Sequence, residues 1–438
     1  ELLEEYLRSG VMPTLPEFAP DATKIRAFVE GICAVDAVVI SGGGNLNSRY
    51  GWLLYERAAI ALVAEYRKIP LFISGQSLGP VLSNTDTEVL ERMLRSAVAV
   101  AVRERGSYAW CTERGIEALA GADDATDYAP HSPELTLEYP ESVAVPELPQ
   151  RYVCVTINDA DDEQAQNLAE LLEYTYQEHG LSTVFLSHMG NPAQAAVAGE
   201  RGDYEVHARI AEQMHTPATL APITHADAAV RIHRGAALTL TSRYHPAVFG
   251  LAVGVPVVAL VPDAFTEMRL TGVMKHYGVG EFITPLEMLG TAIPSLLLDA
   301  AVQLNDPELG ATFTELQAPR RAEVLGALAE WRQYVWERIS GNDEAREPQN
   351  LPKVHQVEAL NEPLRGVNRA ARRLLRRTSL EAGNEWALSD RMHSWEDARR
   401  HEIEGKDREI AGLRERAEAA ERKLAEYQGS LLKRILRR

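Results

Sequence analysis

Four short stretches carry the residue types best suited to hold an anion or move a proton. The first is Ser41-Gly42-Gly43-Gly44-Asn45, whose glycines let the backbone approach a ligand and present N–H groups to it. The second is Gln76-Ser77, an amide beside a hydroxyl. The third is Arg103, a fixed charge whose planar guanidinium matches carboxylate and phosphate geometry. The fourth is Ser242-Arg243-Tyr244-His245-Pro246. Proline favours the first turn of a helix, so Pro246 predicts a helix start with His245 at the positive end of the dipole. That field, with Arg243 two residues away, attracts an anion and depresses the His245 pKa, and a bound phosphate would push it back up. A histidine protonated only beside an anion suits general acid work. Each stretch also has a plain structural alternative: a tight turn for the glycines, a solvated loop for Gln76, a surface ion pair for Arg103, a helix cap for His245.

The surrounding pattern predicts how these stretches are positioned. Val35 to Ile40, Pro70 to Ser74 and Ala97 to Val102 are short apolar runs that end, in turn, at the glycines, at Gln76 and at Arg103. Helical stretches over about 52–67 and 85–95 separate them. Apolar strands alternating with helices predict a parallel sheet covered on both faces, with ligands beyond the strands' carboxyl ends. Pro140, Pro146 and Pro149 predict a linker over 139–149, after which the rhythm restarts. Strands are expected over 152–157, 182–187, 236–241 and 255–261, and helices over 161–178, 246–253 and parts of 297–338. The fold class is therefore α/β: two facing Rossmann-like doubly wound domains, 1–138 and 150–340, resembling the glycosyltransferase-B arrangement. A basic region, 341–390, and a charged helix, 391–438, follow.

Net charge is −18, unevenly spread: residues 363–438 hold 19 Lys+Arg against 13 Asp+Glu, and the other 362 residues hold 26 against 50. So acidic a body argues against nucleic acid, whose binding is driven by phosphate neutralisation. Any anionic substrate must instead be met by locally placed arginines. Cys33, Cys111 and Cys154 are scattered and unpaired in spacing, so neither a disulfide framework nor a zinc site is expected, and all three read as small buried hydrophobes. The longest uncharged apolar run, Pro246 to Pro262, is broken by Gly250, Gly254 and Pro256, and falls short of the ~20 residues of a membrane helix. The chain opens at Glu1 rather than Met, so it is expected to begin inside a longer sequence.

Taken in order, Val39-Ile40-Ser41-Gly42-Gly43-Gly44-Asn45, Ile69 to Pro80, Val102-Arg103-Glu104-Arg105-Gly106-Ser107 and Ser242-Arg243-Tyr244-His245 resemble the polysaccharide pyruvyl transferase family, over about Val35 to Pro262. Asp123-Asp124-Ala125 resembles the Asp-containing segment that follows the family's Val-Arg-Glu motif. Two departures stand out. The family's opening strand and Asn-x-Gly-Asp loop do not precede Val35 and are expected upstream. Pro246 replaces a commoner small residue.

The resemblance implies transfer of pyruvate from phosphoenolpyruvate to two hydroxyls of a cell-surface glycan, with no metal or other cofactor. Arg103 and Arg243, one from each domain, would hold the donor's phosphate and carboxylate. His245 would be the general acid. Gly42, Gly43, Gly44, Asn45, Gln76, Ser77 and Ser242 would line the substrate. Asp123 and Asp124 are candidates for the base, and Asp36, at a strand start, is a poor one. The alternative is a nucleotide-sugar glycosyltransferase of the same architecture, against which the lack of a Glu-rich ribose-binding motif in the second half counts weakly. A scaffold built on an inactive body is a third reading, against which the intact Arg103, Arg243 and His245 count. The tail adds two expectations. Ile403 to Leu431 follow a heptad spacing suited to a short coiled coil and a homodimer. Arg365, Arg369, Arg372, Arg373, Arg376 and Arg377 around Leu374 and Leu375, with the basic last six residues, suit peripheral contact with the inner face of a membrane. A cytoplasmic location is the corresponding expectation.

Overall fold

The computed structural model describes residues 2–15, 21–131, 147–189, 202–222, 225–309, 311–357 and 359–379. Glu1–Gly383 form one compact unit. The predicted coiled coil and most of the predicted linker lie outside the described residues.

The first half opens with helices α1 (Leu2–Ser9) and α2 (Ala22–Cys33). Strands β1 (Val38–Ile40) and β2 (Gly43–Leu46) and helix α3 (Gly51–Arg67) follow. Then come β3 (Leu71–Leu78), α4 (Asn84–Ser96), β4 (Ala99–Val102) and α5 (Arg105–Glu113). Strand β5 (Leu119–Ala120) and helix α6 (Ala125–His131) close this half. The sheet runs β1-β3-β4-β5, with β2 also pairing β3, and every pairing is parallel. All eight residues of β3 are buried, as a central strand covered on both faces requires.

The second half begins with β6 (Tyr152–Thr156), α7 (Asp162–His179), β7 (Ser182–Leu186) and α8 (Asp203–Ala211). It continues through β8 (Ala218–Ala221), α9 (Ala226–Gly235), β9 (Leu238–Thr241) and α10 (Tyr244–Val253). It ends with β10 (Val257–Val261), α11 (Ala264–His276), β11 (Ile283–Pro285), α12 (Ala292–Gln303), α13 (Phe313–Leu316) and α14 (Ala318–Ile339). Its six strands are all parallel, in the order β11-β10-β9-β6-β7-β8. The order reverses at β6, and a crevice beyond the strand ends at such a switch is where open sheets take ligands. Helix α10 shows why the sequence folds this way: eight of its ten residues are buried and nearly all are apolar, so it must be enclosed on every side.

Beyond α14 the chain returns across both halves. In the first half Leu351 N–H donates to Ala120 O (2.7 Å) and Ala120 N–H to Asn350 Oδ1 (2.7 Å). In the second, Val357 N–H donates to Gly278 O (2.7 Å) and Gly280 N–H to Gln356 Oε1 (2.9 Å). A final helix, α15 (residues 362–379), then packs on the second half through buried Leu364 and Leu375.

Several expectations are corrected. Helix α3 (Gly51–Arg67) runs where expected, but the glycine stretch continues as strand β2 rather than standing at a helix start. Helix α10 starts at Tyr244, so Pro246 stands at its third residue rather than its first. Cys33 is exposed, while Cys111 and Cys154 are buried. Four of the six clustered arginines pair within the body: Arg372 and Arg376 with Glu267, and Arg365 and Arg369 with Glu281. No described helix is long and apolar enough to cross a membrane.

Candidate functional site

The glycine stretch, Gln76 and Arg103 come together on β2, β3 and the end of β4, but with a different division of labour. Gly43 lies in register with Gln76, and Gln76 with Val102. The Gln76 side chain is 1% exposed, and neither its Nε2 nor its Oε1 has a hydrogen-bond partner. A buried amide left unsatisfied on both sides costs free energy unless something meets it, so its place beside the strand ends marks a polar contact point. Gly43 must stay small beside it, since an added Cβ would lie 3.0 Å from Oε1. Asn45 sits partly buried in β2. Asn47 ties the turn after β2 by donating to Gly44 O (2.9 Å) and accepting from Tyr50 N–H (3.1 Å).

Arg103 is almost fully buried at the end of β4. Its Nε donates to Ser77 Oγ (2.7 Å), and its Nη1 pairs with Asp123 Oδ2 (2.5 Å). Ser77 in turn donates to Glu104 (2.7 Å). Only Nη2 remains, and it faces Gly44, where an added Cβ would come within 2.8 Å. The guanidinium lies 4.0 Å from the ring centre of Tyr244, across in the second half.

Arg269, in the second turn of α11, approaches the same point. A Cβ on Gly44 would meet its Cδ at 2.9 Å and its Nη1 at 3.1 Å. It lies on Phe265 at 3.8 Å and 5.9 Å from Tyr244. Phe265 is backed by Arg49 and Tyr50 of the first half, and Arg49 pairs with Asp263 (2.6 Å). The Arg269 Nε is buried without a partner, and no carboxylate pairs with this guanidinium among the described residues. Burial, then the charge of Arg103, lowers its pKa to about 10. It stays charged at neutral pH, and an anion would relieve both costs.

His245 opens to solvent at the start of α10, stacked on Phe249 and edge-on to Tyr244. Neighbouring atoms still crowd the ring, and loss of hydration is the largest cause lowering its pKa. Asp123 raises it, while Arg103 and Arg269 lower it further. The histidine is therefore held mainly neutral at pH 7.

Three predicted site residues are committed elsewhere. Arg243 caps α10 and grips fully buried Asp203 through Nε (2.9 and 3.0 Å) and Nη2 (2.5 Å), so that edge of its guanidinium is taken. Ser242 is 3% exposed and donates to Asn158 Oδ1 (2.5 Å). The Gly42 N–H donates to Asp124 Oδ2 (3.1 Å). Asp124 also accepts from Ser41 (2.9 Å) and Ser74 (2.7 Å), so it ties strand ends together and is not a loose base. Asp36 is exposed, before β1. Among the described residues, no cluster of His, Cys, Asp or Glu could hold a metal ion.

A family model for polysaccharide pyruvyl transferase matches residues 5–263, more than half of the chain. The chain belongs to the polysaccharide pyruvyl transferase family. Gly44, Arg103 and His245 all fall inside the matched stretch, and Arg269 lies just beyond it. Among curated proteins, this family member is 23% identical over 282 residues to amylovoran biosynthesis protein AmsJ of Erwinia amylovora. That alignment spans 60% of the present chain and 65% of the relative, short of two thirds of its length. Among solved structures, a protein described as a UDP-N-acetylglucosamine 2-epimerase from Listeria monocytogenes superposes with a TM-score of 0.50 and 16% identity. It covers 76% of this chain and 84% of that one, and the likeness shows the fold of two Rossmann-like domains.

Proposed function

We propose that the cleft binds phosphoenolpyruvate and transfers its pyruvyl group to two hydroxyls of a glycan. The observation carrying this reading is the pair Arg103 and Arg269, brought together from opposite halves at a glycine too crowded for a side chain. The donor carries a phosphate and a carboxylate, and two cations in one solvent-poor cleft complement both. Arg269 takes the role that the sequence suggested for Arg243. Family membership supports a glycan substrate.

In this reading the donor's charge restores the proton to His245, which delivers it to C3 and turns the methylene into a methyl group. C2 then gains oxocarbenium character. One sugar hydroxyl adds there and releases its proton. A second hydroxyl displaces phosphate and gives its proton to that leaving group, so two C–O bonds form at C2 and the bond from C2 to the phosphate oxygen breaks. The first hydroxyl's proton returns to His245. Arg103 and Arg269 stabilise the departing phosphate electrostatically. Association with the inner face of a membrane belongs to this proposal only through the glycan acceptor.

The test measures thermal stability with phosphoenolpyruvate and with nucleotide sugars, in the wild type and in Arg269→Gln. Phosphoenolpyruvate should raise the melting temperature of the wild type alone, since a ligand of the native state stabilises it. If a nucleotide sugar's effect is the one lost in Arg269→Gln, the cleft belongs to a glycosyltransferase instead. Phosphate release in the presence of a glycan pool should accompany the first outcome. His245→Gln, which keeps a hydrogen-bonding side chain, should lower that release by roughly 10²–10⁴-fold.

A further inference from the structure

A second cavity, of about 540 Å³, lies between the start of α5, one face of α11 and the returning segment near residue 353. That volume falls in the range of small-molecule sites. Six cationic side chains line it, Arg105, Lys275, Arg320, Lys353, Arg372 and Arg376, against the two carboxylates Glu104 and Glu267, a net of four positive charges. On a protein of net charge −18 such a concentration needs a reason. Three of the six have local partners: Arg372 and Arg376 with Glu267, and Arg320 with Glu323.

The others are not neutralised. Arg105 donates to Leu351 O, an uncharged partner, and burial, followed by the charge of Arg320, lowers its pKa. The Lys275 ammonium has no hydrogen bond or ion pair among the described residues. Burial is the largest cause lowering its pKa, and Arg372 adds to it. Its stem is pinned, since a Cβ on Gly280 would lie 2.5 Å from its Cγ. Lys353 is exposed at the rim. A phosphate monoester brings about −1.5 to −2 charges, which leaves such a lining under-neutralised, whereas two linked phosphoryl groups match it better. Pro80, Ala264, Met268 and Val354 add an apolar floor.

We infer that this cavity is a second anion site, taking an organic diphosphate whose apolar portion rests on Met268 and Val354. It is separate from the donor cleft yet mechanically joined to it. His276 lines the cavity and donates from Nε2 to Arg103 O (2.8 Å). Glu104 lines it too, and its carboxylate holds Ser77, which holds Arg103. A ligand here bears on the residue that fixes the donor arginine.

Calorimetry on the full chain tests this with three probes: inorganic pyrophosphate, UDP and geranyl diphosphate. At least one organic diphosphate should bind more tightly than pyrophosphate. That binding should survive Arg269→Gln and weaken at least about tenfold in Lys275→Gln, the loss expected for one charged hydrogen bond. The better of the two organic probes then identifies the apolar portion as a nucleoside or an aliphatic chain. Lys353→Glu is the companion variant, since an exposed rim residue can be reversed without touching the core, and it should also weaken the same probe. Phosphoenolpyruvate binding should persist in both lysine variants and vanish in Arg269→Gln, so failure here is distinguishable from failure of the donor reading. Diphosphate binding that is lost in Arg269→Gln, or unchanged in both lysine variants, overturns the inference.

Discussion

Arg243 and Arg269 show how little a side chain's type says about its duty. Arg243 sits in the family motif, but its Nε and Nη2 hold Asp203, which is fully buried. Arg269 lies in no recognised motif, and its guanidinium faces the cleft unpaired. Their glutamine variants should therefore separate. Arg269→Gln should weaken phosphoenolpyruvate binding by about 10- to 100-fold, the value of a charged hydrogen-bonding pair, with urea stability nearly unchanged. Arg243→Gln should cost on the order of 3 kcal/mol in urea unfolding, because it strands a buried carboxylate. Equal stability losses in the two variants would contradict this division. The sequence showed Arg103 and His245 clearly because each stands at a strand end or helix start, where local pattern fixes position. It was silent on Arg269, because only the register of β10 against β9 and the close approach of α11 to Gly44 bring that residue forward.

At the scale of elements, β1, β3, β4, β6, β7, β9 and β10 were readable because buried strands are continuous apolar runs, while the short strands β5, β8 and β11 were not. Strand β2 was not, since Gly-Gly-Asn-Leu carries no strand propensity and is held as a strand by its neighbour β3. Its glycine is a sharp test: Gly44→Ala puts a methyl group within 2.8 Å of Arg103 and 2.9 Å of Arg269. The donor's KM should rise well above that of the wild type, while circular dichroism stays native. A second prediction concerns three buried histidines. His207 accepts from Ile157 N–H (3.0 Å) and His233 meets Thr239 (3.1 Å), and burial drives both to a pKa of about 3. Burial likewise takes His276 to about 4. The unfolded chain binds protons at these positions near pH 6.5, whereas the folded one resists until pH 3 to 4. Stability should thus be fully present above pH 6.5 and fall as pH drops below it, at up to about 1.4 kcal/mol per unit for each histidine. Urea melts at pH 7 and pH 5 measure this, and an unchanged midpoint would rule it out.

On the scale of the whole molecule, the basic region behaves as part of the body. Glu267 is 4% exposed at its side chain and holds both Arg372 (2.5 Å) and Arg376 (3.3 Å). Charge counting alone does not find these pairs, because sequence does not reveal which acidic partners a fold will bring opposite. Removing residues 362–438 should cost about 3–5 kcal/mol from the unpaired Glu267 alone, with the loss of buried Leu364 and Leu375 added. Ending the chain at residue 383 should leave the melting temperature near that of the full chain. In flotation with anionic vesicles, the 1–383 protein should stay with the soluble fraction.

The returning segment has one more consequence, and it is kinetic. Residues 350–357 are hydrogen-bonded to Ala120 on one side and to Gly278 and Gly280 on the other, so they splint the two halves together. A hinge swings freely only where few bonds span it. Here the gap is crossed, and Arg103 and Arg269 already share Tyr244 between them. The entropy of assembling the cleft is spent during folding, not at each encounter, so association need not wait for a closing motion. Stopped-flow binding of phosphoenolpyruvate should show one phase whose rate climbs linearly with concentration. A rate that levels off would mean the splint gives way before the donor can settle.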